Sequence, residues 1–172
     1  MGSSEDRPMS LSEFECLRSG TPDRAALLAY YDGLGPVAVA GMIGLWRGGT
    51  WRTGTRFDGL LDRLNWYGKY FERPDKVEAL LFERPDTALG WLNFAMISPF
   101  RLRAGRDLVR HPLGRARLRE RAFRGKVSTA MVYDWLPITD HFRKVDDGTL
   151  LGLMDLFGRS DCELFFWLRR AP

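Results

Sequence analysis

Over the last third of the chain, short apolar-rich runs are separated by turn signals about every ten residues, and the first of them alternates charged and apolar positions with a period of two. From Arg115 to Phe123, four arginines (115, 117, 119 and 121) alternate with Ala116, Leu118, Glu120 and Ala122, which predicts a strand with one charged face. Arg124-Gly125 turns the chain into Val127–Asp134, and Leu136-Pro137 interrupts it. Ile138–Val145, Thr149–Leu156 and Cys162–Arg170 follow as strands, separated by Asp146-Asp147-Gly148 and Gly158–Asp161. The first half is less regular. After a polar leader over residues 1–20, Thr21-Pro22-Asp23 predicts a capped helix start, with the helix running through Tyr31. Met42–Thr53 suits two strand segments joined by a turn or bulge at Gly48-Gly49, and Leu60, Leu61 and Leu64 after Asp58-Gly59 suit a helix of one to two turns. Trp66–Phe71 and Lys76–Glu83 read as strands across Arg73-Pro74-Asp75, and Arg84-Pro85-Asp86 precedes another over Thr87–Ser98. Pro99–Leu113 reads as irregular. The expectation is a mainly β, single-domain protein over residues 1–172. Its eight to ten strands close into one antiparallel barrel, because closure removes exposed edges.

Composition adds one asymmetry. The net charge of +4 is not evenly spread: residues 101–126 hold ten Arg or Lys against Asp107 and Glu120. Such a window could contact an anionic group or a membrane surface. Nucleic acid is not expected, because only Phe123 interleaves the basic residues, with Phe100 just before them. No basic segment followed by an apolar core opens the sequence, and the longest uncharged runs, Gly33–Trp46 and Thr87–Phe100, have 14 residues each. That is short of the roughly 20 residues a membrane-spanning helix needs, so a cytoplasmic location is expected. Cys16 and Cys162 form no CxxC pair, and His111 and His141 are the only histidines, so no metal site and no cofactor are expected.

Three segments carry a resemblance. Gly44-Leu45-Trp46-Arg47-Gly48 spells G-x-W-x-G. It is followed by G-T-R-F-D-G-L-L at 54–61 and N-W-Y-G-K-Y-F at 65–71. Together these resemble the GXWXG family. The C-terminal half, M-V-Y-D-W-L-P-I-T-D-H-F-R-K-V-D-D at 131–147, L-L-G-L-M-D at 150–155 and F-F-W-L-R-R at 165–170, resembles the domain of unknown function that usually follows it. The resemblance spans roughly 41–83 and 115–170 and implies a lipocalin-like or calycin-like barrel, with Trp46 first of all a structural residue closing one end. It implies no settled activity. The family pattern often has histidines where this chain has Thr55 and Glu78, which leaves His141 as the imidazole expected near the pocket.

The aromatic residues are numerous enough to shape an apolar cavity. Trp46, Trp51, Trp66, Tyr67, Trp91, Tyr133, Trp135 and Trp167 are its expected lining, with a filled core as the plainer alternative. Polar residues gather around Leu136-Pro137: Asp134, Asp140, His141, Arg143 and Asp155. On a strand, Asp140 and His141 point to opposite faces, so one of the two can face the cavity. Asp134, Asp140 and His141 are the acid–base candidates, against a reading in which the aspartates brace a bend or pair with Arg143. No G-x-S-x-G surrounds Ser98, Ser128 or Ser160, and no phosphate-binding glycine loop is present. The expected function is binding of a hydrophobic small molecule or lipid. The alternatives are a cofactor-independent isomerase, cyclase or lyase using the same cavity, and a scaffold whose barrel is filled.

Overall fold

The computed structural model describes residues 11–83, 98–101 and 107–172. In chain order the elements are α1 (Leu11–Ser19), α2 (Arg24–Gly33), α3 (Val39–Met42), β1 (Gly44–Thr50), α4 (Leu60–Arg63), β2 (Trp66–Arg73) and β3 (Lys76–Glu83). After β4 (Ser98–Arg101) and β5 (Asp107–Arg110) come β6 (Arg115–Phe123), β7 (Lys126–Tyr133), β8 (Ile138–Asp146), β9 (Thr149–Leu156) and β10 (Leu164–Arg170). Strands β1, β2, β3, β6, β7, β8, β9 and β10 pair in a closed antiparallel ring, since β1 bonds both β2 and β10 and β2 also bonds β3. The architecture is therefore the mainly β barrel that the alternation predicts.

Strand β3 forks. Its first half pairs with β6 through Val77 and Glu78, while Leu81–Glu83 pair with β5, which in turn carries β4. The stretch read as irregular thus contains a two-stranded ribbon. The strand expected over Thr87–Ser98 falls outside the described residues except for Ser98, and so does Trp91. The leader also contains more than expected. Leu11–Ser19 is helical and buries Phe14, and α2 follows with the Asp23 carboxylate accepting from the Ala26 amide at 2.8 Å.

Met42–Thr53 holds not two strand segments but one, β1 over Gly44–Thr50. Gly48 and Gly49 are present for contact, not for a turn: a Cβ at Gly48 would overlap the Trp66 ring inside the barrel, and one at Gly49 would overlap the Trp167 ring outside it. Gly68 has φ of 147°, and a Cβ there would overlap the Trp46 carbonyl oxygen. The β2–β3 register shifts on both sides of it, so β2 carries a bulge. That bulge reverses the inward–outward phase along β2: Trp66 and Phe71 belong to the inner core, and Lys69 lies inside with them opposite Trp46, although three positions separate it from Trp66.

The two faces of the barrel are both buried over much of their area. Inside, Trp46, Phe71, Phe142, Phe166 and Met131 fill the half nearer α3. The Trp46 indole donates to the Met42 carbonyl at 2.7 Å. Arg170 lies 4.4 Å above its ring and donates to the Ile43 and Gly41 carbonyls, closing this end. Outside, α1 and α2 cover a second core of Phe14, Leu27, Tyr30, Tyr31, Trp51, Leu151, Leu153 and Phe165. Among the described residues no helix is long and apolar enough to cross a membrane.

Candidate functional site

The end of the barrel opposite Trp46 carries α4 and the β7–β8 and β9–β10 connections, and it is not filled. A cavity of about 280 Å³ opens there, lined mainly by aliphatic side chains: Leu60, Leu61 and Leu64 from the α4 region, Leu80 from β3, Leu136 from the β7–β8 connection, Ile138 from the start of β8, and Met154 and Leu164 from β9 and β10. Phe57, Phe82, Leu113, His111 and Tyr133 complete the wall. Its volume suits a small ligand, at the lower edge of ordinary binding pockets.

Below this cavity is a fully enclosed ion pair. Lys69 Nζ donates to Asp140 Oδ2 at 2.8 Å, and the two side chains are 3% and 2% exposed. The Tyr133 hydroxyl lies 3.4 Å from the same nitrogen. The rings of Phe166, Trp66 and Tyr133 surround the amine at 4.8, 5.3 and 5.7 Å. Asp140 Oδ1 has no hydrogen-bond partner among the described residues. Burial drives Lys69 below and Asp140 above its ordinary pKa, each opposed by the other and, at Asp140, by the Tyr133 hydroxyl as well, so both are pushed toward their neutral forms. Burial likewise raises Tyr133 well above the ordinary phenol value and keeps its proton in place.

Of the described residues expected to line the cavity, Tyr133 alone does so. Trp46 plugs the far end, as the resemblance implied, and Trp66 lies deeper, its indole donating to the Ala79 carbonyl at 3.1 Å. Trp51 is outside the barrel, donating to the Leu17 carbonyl and edge-on to Phe14, because adjacent strand positions alternate faces. Trp167 is on the same outer face beneath Arg18, and Tyr67 packs outside with Leu81 and Leu108. Trp135 is 70% exposed on the β7–β8 connection. Arg143 is buried but outside: its guanidinium donates to the Phe123 carbonyl at 2.7 Å and lies 4.9 Å over Tyr31. Asp155 accepts from the Gly158 amide at 2.7 Å and closes a turn.

The acid–base candidates separate in the same way. Asp140 faces inward. His141 faces outward, stacked on Phe123 at 3.7 Å between ring centres, and burial pushes its pKa down to about 4. Asp134 is at the surface, paired with Arg117 at 3.1 Å. Contrary to expectation, the imidazole at the cavity is that of His111, whose Nδ1 accepts from the Leu113 amide at 3.3 Å. Glu78 faces outward and pairs with Arg110 at 2.9 Å. Lys69 is the residue that sequence reasoning missed. Counting by two from Trp66 points it outward, and only the glycine at position 68 hinted that the count breaks there.

The basic window divides by role. Arg115, Arg117, Arg119 and Arg121 form the exposed outer face of β6, and Arg117, Arg119, Arg121 and Trp135 border a surface cleft of about 400 Å³. Arg124 instead pairs with Asp32 at 2.6 Å, and Lys126 donates to the Asp32 and Leu34 carbonyls, fastening the C-terminal end of α2 to the barrel. Among the described residues, no group of three or more His, Cys, Asp or Glu side chains is placed to hold a metal ion.

Two family matches divide the chain: GXWXG protein over residues 29–87, and Domain of unknown function (DUF4334) over residues 114–170. A crystal structure of a protein from Thermomonospora curvata is similar over 94% of this chain and 97% of that one, at 39% identity and a TM-score of 0.74. This chain belongs to the GXWXG family. Among curated proteins, none matches. In this GXWXG protein the name-giving motif is structural, and each letter has a physical reason. Gly44, at φ of 130°, leaves room for Arg170; Trp46 plugs the barrel end; and Gly48 seats the Trp66 ring. The enclosed pair joins the two matched segments, with Lys69 from the first and Asp140 and Tyr133 from the second. The whole is consistent with a lipocalin-like barrel.

Proposed function

We propose that this GXWXG protein binds a small hydrophobic molecule at the open end of its barrel, with the molecule's one polar group directed toward Tyr133. The observation that supports this reading most directly is the apolar cavity of about 280 Å³ whose wall includes the Tyr133 ring, while the hydroxyl of the same residue lies 3.4 Å from Lys69 Nζ. Burying an apolar molecule there removes its surface and the cavity's from water, which contributes roughly 25 cal/mol per Å² before the costs of association. A lone polar group at the inner end would fix orientation without a large desolvation penalty.

The alternative, acid–base isomerisation, cyclisation or lysis of such a molecule, gains support from Asp140, whose pKa is raised by burial and whose Oδ1 is without a partner among the described residues. His141 does not contribute to it.

The test uses the apolar fluorophore N-phenyl-1-naphthylamine, which brightens when it leaves water. Its emission is expected to rise with the wild-type protein, and the rise is expected to be lost in Ile138→Trp or Leu136→Trp, whose indoles would fill the cavity. Uptake that is absent in the wild type, or unchanged in both filled variants, overturns the reading.

A further inference from the structure

The Lys69–Asp140 pair is enclosed at considerable cost, because an ammonium and a carboxylate removed from water regain that loss only when every remaining donor and acceptor is satisfied. Here they are not. Asp140 Oδ1 has no partner among the described residues, and beyond Asp140 the amine has a phenol at 3.4 Å and three aromatic rings around it. Substituting a well-packed apolar pair would serve stability as well or better. An amine and a carboxyl held next to each other in an apolar interior are suited to chemistry at a carbonyl carbon.

The position of the pair relative to the cavity is set by strand geometry. On β8, Ile138 lines the cavity and Asp140 is the next residue on the same face; on β10, Leu164 lines the cavity and Phe166, against Lys69, is the next. Two positions along a strand are about 7 Å, so the amine lies one layer of side chains beneath the cavity, with Tyr133 belonging to both levels. We propose that Lys69 forms an imine with an apolar aldehyde or ketone that enters through the open-end cavity, with Asp140 handling the protons. This rests on the binding reading above and names its ligand class.

The atoms balance without any further reactant. The Lys69 lone pair attacks the carbonyl carbon, forming a C–N bond as the carbonyl π electrons move to oxygen, which takes a proton from the Asp140 carboxyl. The resulting carbinolamine loses its hydroxyl, with a second proton passed from nitrogen through Asp140, as water. The C=N bond forms and nothing is oxidised or reduced. Two features favour the sequence: burial holds Lys69 toward the neutral, nucleophilic amine, and it holds Asp140 toward the protonated acid. The other lysines differ in setting. Lys76 pairs with Glu72 and Lys144 with Asp147, both at the surface, and Lys126 is committed to backbone carbonyls.

Cinnamaldehyde with sodium cyanoborohydride tests the proposal, because the reductant converts an imine to a stable amine that peptide mapping can locate. Lys69 of the folded protein is expected to be labelled at least roughly tenfold faster than Lys76, Lys126 or Lys144. Asp140→Asn is expected to slow that labelling. The double variant Lys69→Met with Asp140→Leu removes both charges together and keeps the core apolar; it is expected to take up N-phenyl-1-naphthylamine while losing the fast adduct. Labelling of Lys69 no faster than that of the surface lysines overturns the imine. If cinnamyl alcohol, which cannot form one, still displaces the fluorophore, the binding reading stands alone; if neither compound competes for the cavity, both fall.

Discussion

Asp140 and His141 are adjacent in β8 and belong to two different interiors. Asp140 faces the inside of the barrel, beside Lys69 and one layer below an apolar cavity. His141 faces the sheet's outer surface, against Phe123 and within the core that α1 and α2 cover. Both interiors contain imperfectly satisfied polar atoms: Asp140 Oδ1 inside, Arg143 Nε and the Tyr31 hydroxyl outside. The difference is what lies next to them. The outer groups are sandwiched between helix and sheet, where Arg143 still bonds the Phe123 carbonyl and stacks over Tyr31. The inner group is one layer of side chains below a cavity that opens at the barrel end. A buried polar group becomes a candidate for chemistry through its nearness to a cavity, and an unusual residue type or a shifted pKa is not enough, since His141 has both.

The largest effect separating the two interiors is expected at the ion pair. Lys69→Met or Asp140→Leu alone leaves the other ionisable group buried without its partner and is expected to cost about 3–5 kcal/mol in urea unfolding, whereas the double variant returns to within about 1 kcal/mol of wild type. Recovery that fails would mean the pair is integral to the packing. Next comes the bulge that turns Lys69 inward. Gly68→Ala combines a positive φ with overlap against the Trp46 carbonyl and is expected to cost about 3 kcal/mol, read as a lower urea midpoint.

On the outer side the expected effect is a matter of pH. His141 is neutral in the folded protein down to about 4 but takes a proton near 6.5 when unfolded. Its contribution to stability is complete above about 6.5 and is lost as pH falls toward about 4. His141→Gln is expected to flatten the decline of the urea midpoint across that window; a decline as steep as in the wild type would assign the acid sensitivity elsewhere. The smallest effect is expected at Trp135, 70% exposed, where Trp135→Ala should change stability by less than about 0.5 kcal/mol despite the size of the side chain lost.

The legible parts of this chain were those where one strong local rule acts alone. Lys76–Glu83 and Thr149–Leu156 are strands with the predicted bounds because a Pro-Asp or Asp-Gly turn abuts a run of β-forming residues. The arginine alternation of β6 gave that strand its outer face directly. Legibility failed where two parts of the chain must meet. Gly48-Gly49 looks like a turn until Trp66 and Trp167 are placed against it. Leu11, Phe14 and Leu17 are too few to mark an amphipathic helix before the outer face of the barrel is there to receive Phe14. Period two shows that Asp140 and His141 part company, but which of them faces inward depends on the whole ring. At Lys69 a single bulge inverted the count, and with it the list of candidate residues.

Strand β3 leaves β6 after two paired positions, fewer than join any other neighbours in the ring, and its far half is tied to the β5 ribbon instead. Around most of its circumference the barrel resists widening as a hoop does, through continuous ladders of backbone bonds. At this one seam it is fastened more like a cuff with a short clasp, and the cuff opens at the end where the cavity is. Leu80 of β3 and His111, next to β5, lie on this slack side and both form part of the cavity wall. A guest in the proposed site would meet this seam in its side wall, at Leu80 and His111, and the aromatic core around Trp66 and Phe166 beneath it.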